Sequence, residues 1–150
     1  MNILFVCTGN TCRSPMAEAI LNSLAKENKL DVCAFSRGTS VFLGEDVNPK
    51  AKKSLKRIGI HDFEHISKQI TEIDMESADL VLTMTASHKM MLKSIFPKYS
   101  SKIYTLSEKA YGKDKPISDP YGHDENVYDL CAQEIGDAIR KLIEKHEFSI

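Results

Sequence analysis

Residues 7–14 read Cys-Thr-Gly-Asn-Thr-Cys-Arg-Ser. A thiol and a guanidinium are separated by five residues, one of them a glycine. A thiolate is a nucleophile, and the planar arginine fork grips two oxygens of a tetrahedral oxyanion at once. If the loop curls ahead of a helix, the amides of Thr8, Gly9, Asn10, Thr11, Cys12, Arg13 and Ser14 converge on the same anion, and the helix N-terminus favours negative charge there. A free cysteine titrates near ~8.5, and a helix N-terminus or adjacent arginine lowers it to about 3.5–7.5. Cys7 is therefore expected to be ionised at neutral pH and aimed at phosphorus. The plain alternative is a small buried thiol, because a cysteine followed six places later by an arginine is common by chance. Context decides between the two.

That context is a strand before the loop and a helix after it. Asn2–Val6 is a short apolar run of the kind that makes a buried parallel strand. Ser14 and Pro15 predict a helix start, with a hydroxyl at the cap and proline just inside. Met16, Ala17, Ile20, Leu21, Leu24 and Ala25 then recur at helical spacing. Further along, strands are predicted at Asp31–Ser36, Leu80–Met84 and Lys102–Leu106. Helices are predicted from Asn48-Pro49 to Ile58, stopped by Gly59, and from Thr85 to Ile95. Ile66–Ile73 is ambiguous, and Tyr111–His123 reads as loop. A long helix spans Asn126–His146, with Val127, Leu130, Cys131, Ile135, Ala138, Ile139, Leu142 and Ile143 on one face. Alternating strands and helices predict an α/β fold: a single-domain, doubly wound, four-stranded parallel sheet over residues 1–150, with helices on both faces and the phosphate-binding loop after the first strand. Ligands bind such sheets beyond the carboxyl ends of the strands, where Cys7 lies.

Bulk properties narrow the function. One hundred and fifty residues suit one domain with a proper core. The net charge of −1 argues against nucleic-acid or bulk membrane binding. No basic segment precedes the first apolar run, so no signal peptide is expected, and nothing approaches a membrane span. Cys7, Cys12, Cys33 and Cys131 lack zinc-like spacing, and His61, His65, His88 and His123 do not complete one, so neither metal nor cofactor is expected. A reduced, cytoplasmic setting is the simplest inference. No self-complementary patch is legible, and a monomer is expected.

A thiolate attacking a phosphoryl group needs an acid for the leaving group. Asp119, in Ser118-Asp119-Pro120-Tyr121-Gly122, is the best candidate. Pro120 biases Asp119 toward an extended backbone, which would hold the carboxyl outward. An ordinary turn is the alternative, since Asp-Pro followed by Gly is common turn chemistry. Asp114, Asp124 and Asp129 are rivals without the proline constraint.

Taken together, Val6–Glu18 and Asp119–Gly122 resemble the low-molecular-weight protein tyrosine phosphatase family, in size and motif order along essentially the whole chain. The resemblance implies that Cys7 forms a phosphocysteine, that Arg13 binds the phosphoryl oxygens, and that Asp119 protonates the leaving group and then activates water. It implies that Ser14 donates to the Cys7 thiolate and that Asn10 holds the loop by bonding to Ser36. Thr11 departs from the isoleucine common in tyrosine-specific members and resembles the bacterial protein arginine phosphatase branch, as does the run Glu76–Thr85. Threonine leaves room for a planar guanidinium that isoleucine would crowd, so phosphoarginine in proteins is the expected substrate and phosphotyrosine the alternative.

The remaining residues have two readings each. Cys12 is either a packed thiol or the partner of Cys7 in a reversible protective disulfide, which the resemblance favours. Tyr121 is placed on one pocket wall, and Val41 and Phe42 on the opposite one or in a satellite core contact. Cys33 and Cys131 read as core. Lys50, Lys52, Lys53, Lys56 and Arg57 read as a solvated basic face. A thioredoxin-linked arsenate reductase shares such a loop, but its resolving cysteines would fall near Leu82–Lys89, where there are none. A non-catalytic phosphate-binding module would have lost Cys7, Arg13 or Asp119, and all three are present.

Overall fold

Successive side chains of a strand point to opposite faces, and Asn2–Cys7 (β1) uses both. Ile3, Phe5 and Cys7 enter one core, while Leu4 and Val6 enter another. The strand is therefore apolar without alternation because it is covered on both sides. The computed structural model describes residues 1–148. β1 lies between β2 (Cys33–Gly38) and β3 (Leu80–Thr83), and β4 (Ile103–Thr105) completes a four-stranded parallel sheet of order β2-β1-β3-β4.

Helices cover the two faces unequally. The larger core packs Met16, Ala17 and Ile20 of α1 (Arg13–Glu27), Leu55 of α2 (Pro49–Arg57), and Ile135, Ile139 and Leu142 of α6 (Glu125–Glu144). The smaller one packs Met75 of α3 (Glu72–Ser77) and Leu92 of α4 (Ala86–Ile95), with Tyr99 from a 3-10 turn at Pro97–Lys102. Asn48 caps α2 by accepting from the Lys50 amide at 2.9 Å, with Pro49 as the first helical residue.

Several expectations need correction. The second strand runs Cys33–Gly38, not Asp31–Ser36, and Cys33 is exposed rather than in the core. It pairs with Asn2 at the end of the sheet remote from Cys7, which pairs with Gly38. β4 stops at Thr105 because that residue caps a helix, α5 (Leu106–Tyr111), in a reciprocal box with Glu108. α6 starts at Glu125, capped by Asp124, and Leu130 is 58% exposed while Tyr128 is buried. Leu130 sits one residue off the face that runs through Cys131, Ile135 and Ile139. The ambiguous stretch supplies isolated bridges, Asp46 with Ile66 and Gly38 with Gln69. The basic face of α2 is paired rather than merely solvated: Lys52 lies 3.0 Å from Glu64, and Arg57 2.7 Å from Asp129.

Gly38 lets the end of β2 press against the Cys7 loop. A β-carbon there would lie 2.5 Å from the Thr8 carbonyl oxygen and 3.0 Å from Asn10 Cβ. That carbonyl accepts from the Ser40 amide at 3.1 Å and cannot move freely. Gly38→Ala is expected to lower stability by about 1–3 kcal/mol, the range for forced overpacking. Urea denaturation measures this, and an unchanged midpoint would contradict the contact.

Candidate active site

The loop after β1 closes around one buried residue. Asn10 has φ +56°, in the left-handed region that asparagine enters more readily than most side chains. Its amide nitrogen donates to Ser14 Oγ at 2.9 Å and to Ser36 Oγ at 3.0 Å. Its amide oxygen accepts from the Lys68 backbone amide at 2.9 Å and from His65 Nε2 at 3.0 Å. All four of its hydrogen-bonding positions are thus used. The loop carbonyls point outward: Thr8 O to Ser40 N, Thr11 O to Asn48 N at 2.9 Å, and Asn10 O to His65 Nε2 at 3.2 Å. Among the described residues the amides of Gly9, Asn10, Thr11 and Cys12 donate to no other group. They remain free to face an anion above Cys7.

Ser14 was expected to cap α1, and it does not. The cap position is Cys12, which makes no side-chain cap bond, and the helix begins at Arg13. Ser14 instead lies in the first turn, fully buried, with Oγ 2.8 Å from Cys7 Sγ. Oγ accepts from Asn10 and keeps its proton free to donate to the sulfur when Cys7 is the thiolate. Ser36 Oγ, after accepting from Asn10, donates to Glu18 Oε1 at 2.8 Å. Burial raises the pKa of that carboxyl, opposed by the Ser36 bond.

Cys7 is only 3% exposed, at the floor of a cavity of about 400 Å³. Arg13 is buried and donates from Nη1 to the Ile117 carbonyl at 3.1 Å. Its Nη2 lies 3.7 Å from Asp119 Oδ2. Asp119 was expected to hold its carboxyl away from the backbone. One oxygen instead accepts from the Tyr121 amide at 3.1 Å, an Asx turn that leaves the other toward Arg13. The turn and an outward carboxyl oxygen are thus compatible at Asp119. Of the rivals, Asp124 caps α6 and Asp129 accepts from Ser54 and Arg57. Val41, Phe42 and Tyr121 all line the cavity, as does Thr11. Phe42 is 94% exposed, so it is wall rather than satellite core.

Cys12 is buried, with Sγ 3.5 Å from the Tyr128 hydroxyl, and burial pushes its thiol pKa up. Burial likewise pushes Cys131 up to about 12. Cys33 is at the end of the sheet remote from Cys7, and Cys131 is buried with its Sγ donating to the Ser118 carbonyl at 3.5 Å.

Two histidines at the site escaped the sequence reading. His65 binds Asn10 from the far side, stacks on Phe63 with centroids 6.0 Å apart, and has its pKa lowered by burial. His88 sits with Nε2 2.8 Å from Thr8 Oγ1 and Nδ1 3.0 Å from Thr85 Oγ1. Isolated histidines carry no local signal: the bridges of Ile66 and Gln69 to Asp46 and Gly38 bring His65 to the loop, and the pairing of β1 with β3 brings His88 of α4 there. Leu43 and Glu45, beyond β2, also line the cavity, as does Ser67 from the stretch that reads as ambiguous.

A cysteine-arginine loop of this geometry on this sheet defines a class, and the chain belongs to the family described as low molecular weight phosphotyrosine protein phosphatase, which matches residues 2–147. It is 41% identical over 144 residues to the protein-arginine-phosphatase of Bacillus subtilis strain 168, covering 95% of this chain and 94% of that one. It is similar to the solved low molecular weight protein tyrosine phosphatase of T. tengcongensis at 44% identity and TM-score 0.91, covering 97% and 99% of the two chains. It is similar also, at 38% identity and TM-score 0.95, to a mutant of the arginine phosphatase YwlE with a phosphorylated active-site serine, covering 99% and 97%.

Burial, and then the Arg13 charge, lower the His88 pKa to about 4, against an ordinary value near 6.5. Between those values the unfolded chain binds the extra proton and the folded one does not, so stability rises with pH there. The contribution is complete above about pH 6.5 and is lost as pH falls toward 4. It amounts to roughly 2–3 kcal/mol between pH 7.5 and 4.5. His88→Gln is expected to show a correspondingly smaller acid loss in urea denaturation, whereas equal losses in the two proteins would contradict the assignment.

Proposed function

We propose that this protein is a protein phosphatase that removes phosphate from phosphoarginine through a phosphocysteine intermediate. The observation that carries the reading is the ring of unpaired loop amides over Cys7, closed by Arg13 and Asp119 3.7 Å apart. In the first step the Cys7 thiolate attacks phosphorus, an S–P bond forms and the P–N bond breaks. Asp119 gives its proton to the departing guanidine nitrogen. In the second step Asp119 takes a proton from water, the water attacks phosphorus, and the S–P bond breaks to return phosphate and thiolate. Arg13 and the amides hold the equatorial oxygens in both steps, stabilising charge without reorganisation. Ser14 donates to the sulfur as attacking and as leaving group.

The choice of phosphoarginine rests on Thr11 and on the relative named as an arginine phosphatase. Thr11 lines the cavity with a short, half-polar side chain, and a guanidinium is planar and keeps N–H groups that need acceptors once desolvated. Asp119, 60% exposed at the mouth, can accept them before it donates. Phosphotyrosine is the second reading, favoured by the aromatic walls Phe42 and Tyr121 and by the relative named as a tyrosine phosphatase. The substrates are phosphorylated proteins, and a reducing cytoplasm suits the thiol.

Matched phosphoarginine and phosphotyrosine peptides test the choice. The wild type is expected to prefer phosphoarginine in kcat/KM, and Thr11→Ile to lose about 10–100-fold on it, the scale on which pocket shape discriminates. A phosphotyrosine preference in both proteins would return Thr11 to a neutral change. Absence of turnover on either substrate would leave a phosphate-binding module.

Cys12 adds a redox reading. Peroxide would convert Cys7 to a sulfenic acid, and attack by Cys12 would release water and close a disulfide that thiols reopen. Wild-type activity is expected to recover fully in thiol reductant after peroxide, and Cys12→Ser to recover only in part. Equal recovery would remove the role.

A further inference from the structure

Thr8 follows the nucleophile directly and is clamped from two sides. Its carbonyl accepts from Ser40 N at 3.1 Å, beyond β2. Its hydroxyl lies 2.8 Å from His88 Nε2, in α4. The histidine is itself fixed. Thr85 Oγ1 lies 3.0 Å from Nδ1 and accepts from the His88 backbone amide at 3.4 Å as the α4 cap, and Thr83 Oγ1 donates to the Thr85 carbonyl at 2.9 Å. A chain of short bonds thus runs from the end of β3 through Thr85 and His88 to the residue beside Cys7. His88 is 6% exposed. A neutral imidazole has one donor and one acceptor nitrogen, and both have hydroxyl partners here.

We propose that His88 is a positioning residue for phosphoryl transfer, which acts through the Thr8 hydroxyl to hold the first turn of the phosphate loop around Cys7. The proposal rests on the phosphatase reading for its chemistry, but the positioning itself is also visible as anion affinity. Burial and the Arg13 charge keep the ring uncharged at neutral pH, so it orients Thr8 without adding a second cation to the cradle. Loop amides displaced by a fraction of an ångström point away from the equatorial oxygens, and misplacement of that kind costs rate far more than it costs folding.

The test is a double-mutant cycle of His88→Leu and Thr8→Val, with His88→Gln as the conservative variant. Three readouts are used: kcat/KM on a small aryl phosphate, affinity for inorganic phosphate, and Tm. Thr8 is exposed, so Thr8→Val folds even if His88→Leu does not. Each single variant is expected to lose about 5–10-fold in kcat/KM and in phosphate affinity, the worth of one hydrogen bond. The double variant is expected to be within about twofold of the worse single one, because the two residues act as one unit. His88→Gln, which can still donate to Thr8, is expected to recover most of the loss. Multiplicative losses, a Tm effect with unchanged phosphate affinity, or a Gln variant as poor as Leu would each overturn the proposal. If the wild type hydrolyses nothing, the phosphatase reading falls, and the phosphate-affinity cycle still decides the role of His88.

Discussion

The loop conformation depends on one buried amide. Asn10 occupies a backbone region that costs most residues about 1–2 kcal/mol, and it sits where a solvated asparagine could relax. Its side chain prevents that by bonding to three separate segments: α1 through Ser14, β2 through Ser36, and the stretch before α3 through His65 and Lys68. Any relaxation of Asn10 would break its bonds to Ser14 and Ser36, which are fully buried, at a cost of about 1–3 kcal/mol per orphaned partner. The strain is therefore over-determined, and the curvature of the loop follows from it.

From that curvature the electrostatics follow. Outward carbonyls and inward amides are two sides of the same turn. Once Thr8, Asn10 and Thr11 have their carbonyls tied to Ser40, His65 and Asn48, the intervening N–H groups point to the cavity. Arg13 is then fixed twice, by its place at the start of α1 and by its bond to Ile117. These dipoles and the guanidinium are in place before any anion arrives, which is the condition under which electrostatic stabilisation is worth most. The two hydrophobic cores hold β1 from above and below, so the platform beneath the loop does not yield.

How much of this the sequence discloses depends on range. The loop, its glycine, the strand before it and the apolar face after it are local and were legible. So were the Asn48-Pro49 helix start and the return of the Asp119 loop to the rim beside Arg13. Ser14 was misread as a cap because a serine before a proline at a helix start has a standard local use, and here a partner seven residues away captured it. Thr105 was read into a strand because its cap depends on Glu108, and the box competes with strand extension. Cys33 reads as core from its strand, but it lies on the edge strand and points to the face opposite buried Ala34 and Ser36, away from α1. His65, His88 and Lys68 were illegible, since their roles exist only after long-range crossovers.

The site is unequal along its length, and the inequality bears on what it can accept. At the floor, Cys7 and Arg13 are buried, the side chain of Asn10 is bonded to those of Ser14 and Ser36, and the amides of Gly9, Asn10, Thr11 and Cys12 donate to no other described group. At the mouth, Asp119, Phe42 and Tyr121 are largely exposed and only lightly held. The floor recognises what all phosphate monoesters and phosphoramidates share, and it cannot tell nitrogen from oxygen in the leaving group. On the proposed reading, discrimination falls to the zone between, where Thr11 lines the cavity and Asp119 stands at its mouth. There a guanidinium brings charge and several donors and a phenol brings an apolar ring, so one wall residue that changes from apolar to polar alters the match for both in opposite directions. On the proposed reading, a small substitution beside an unchanged floor is enough to shift the preferred leaving group.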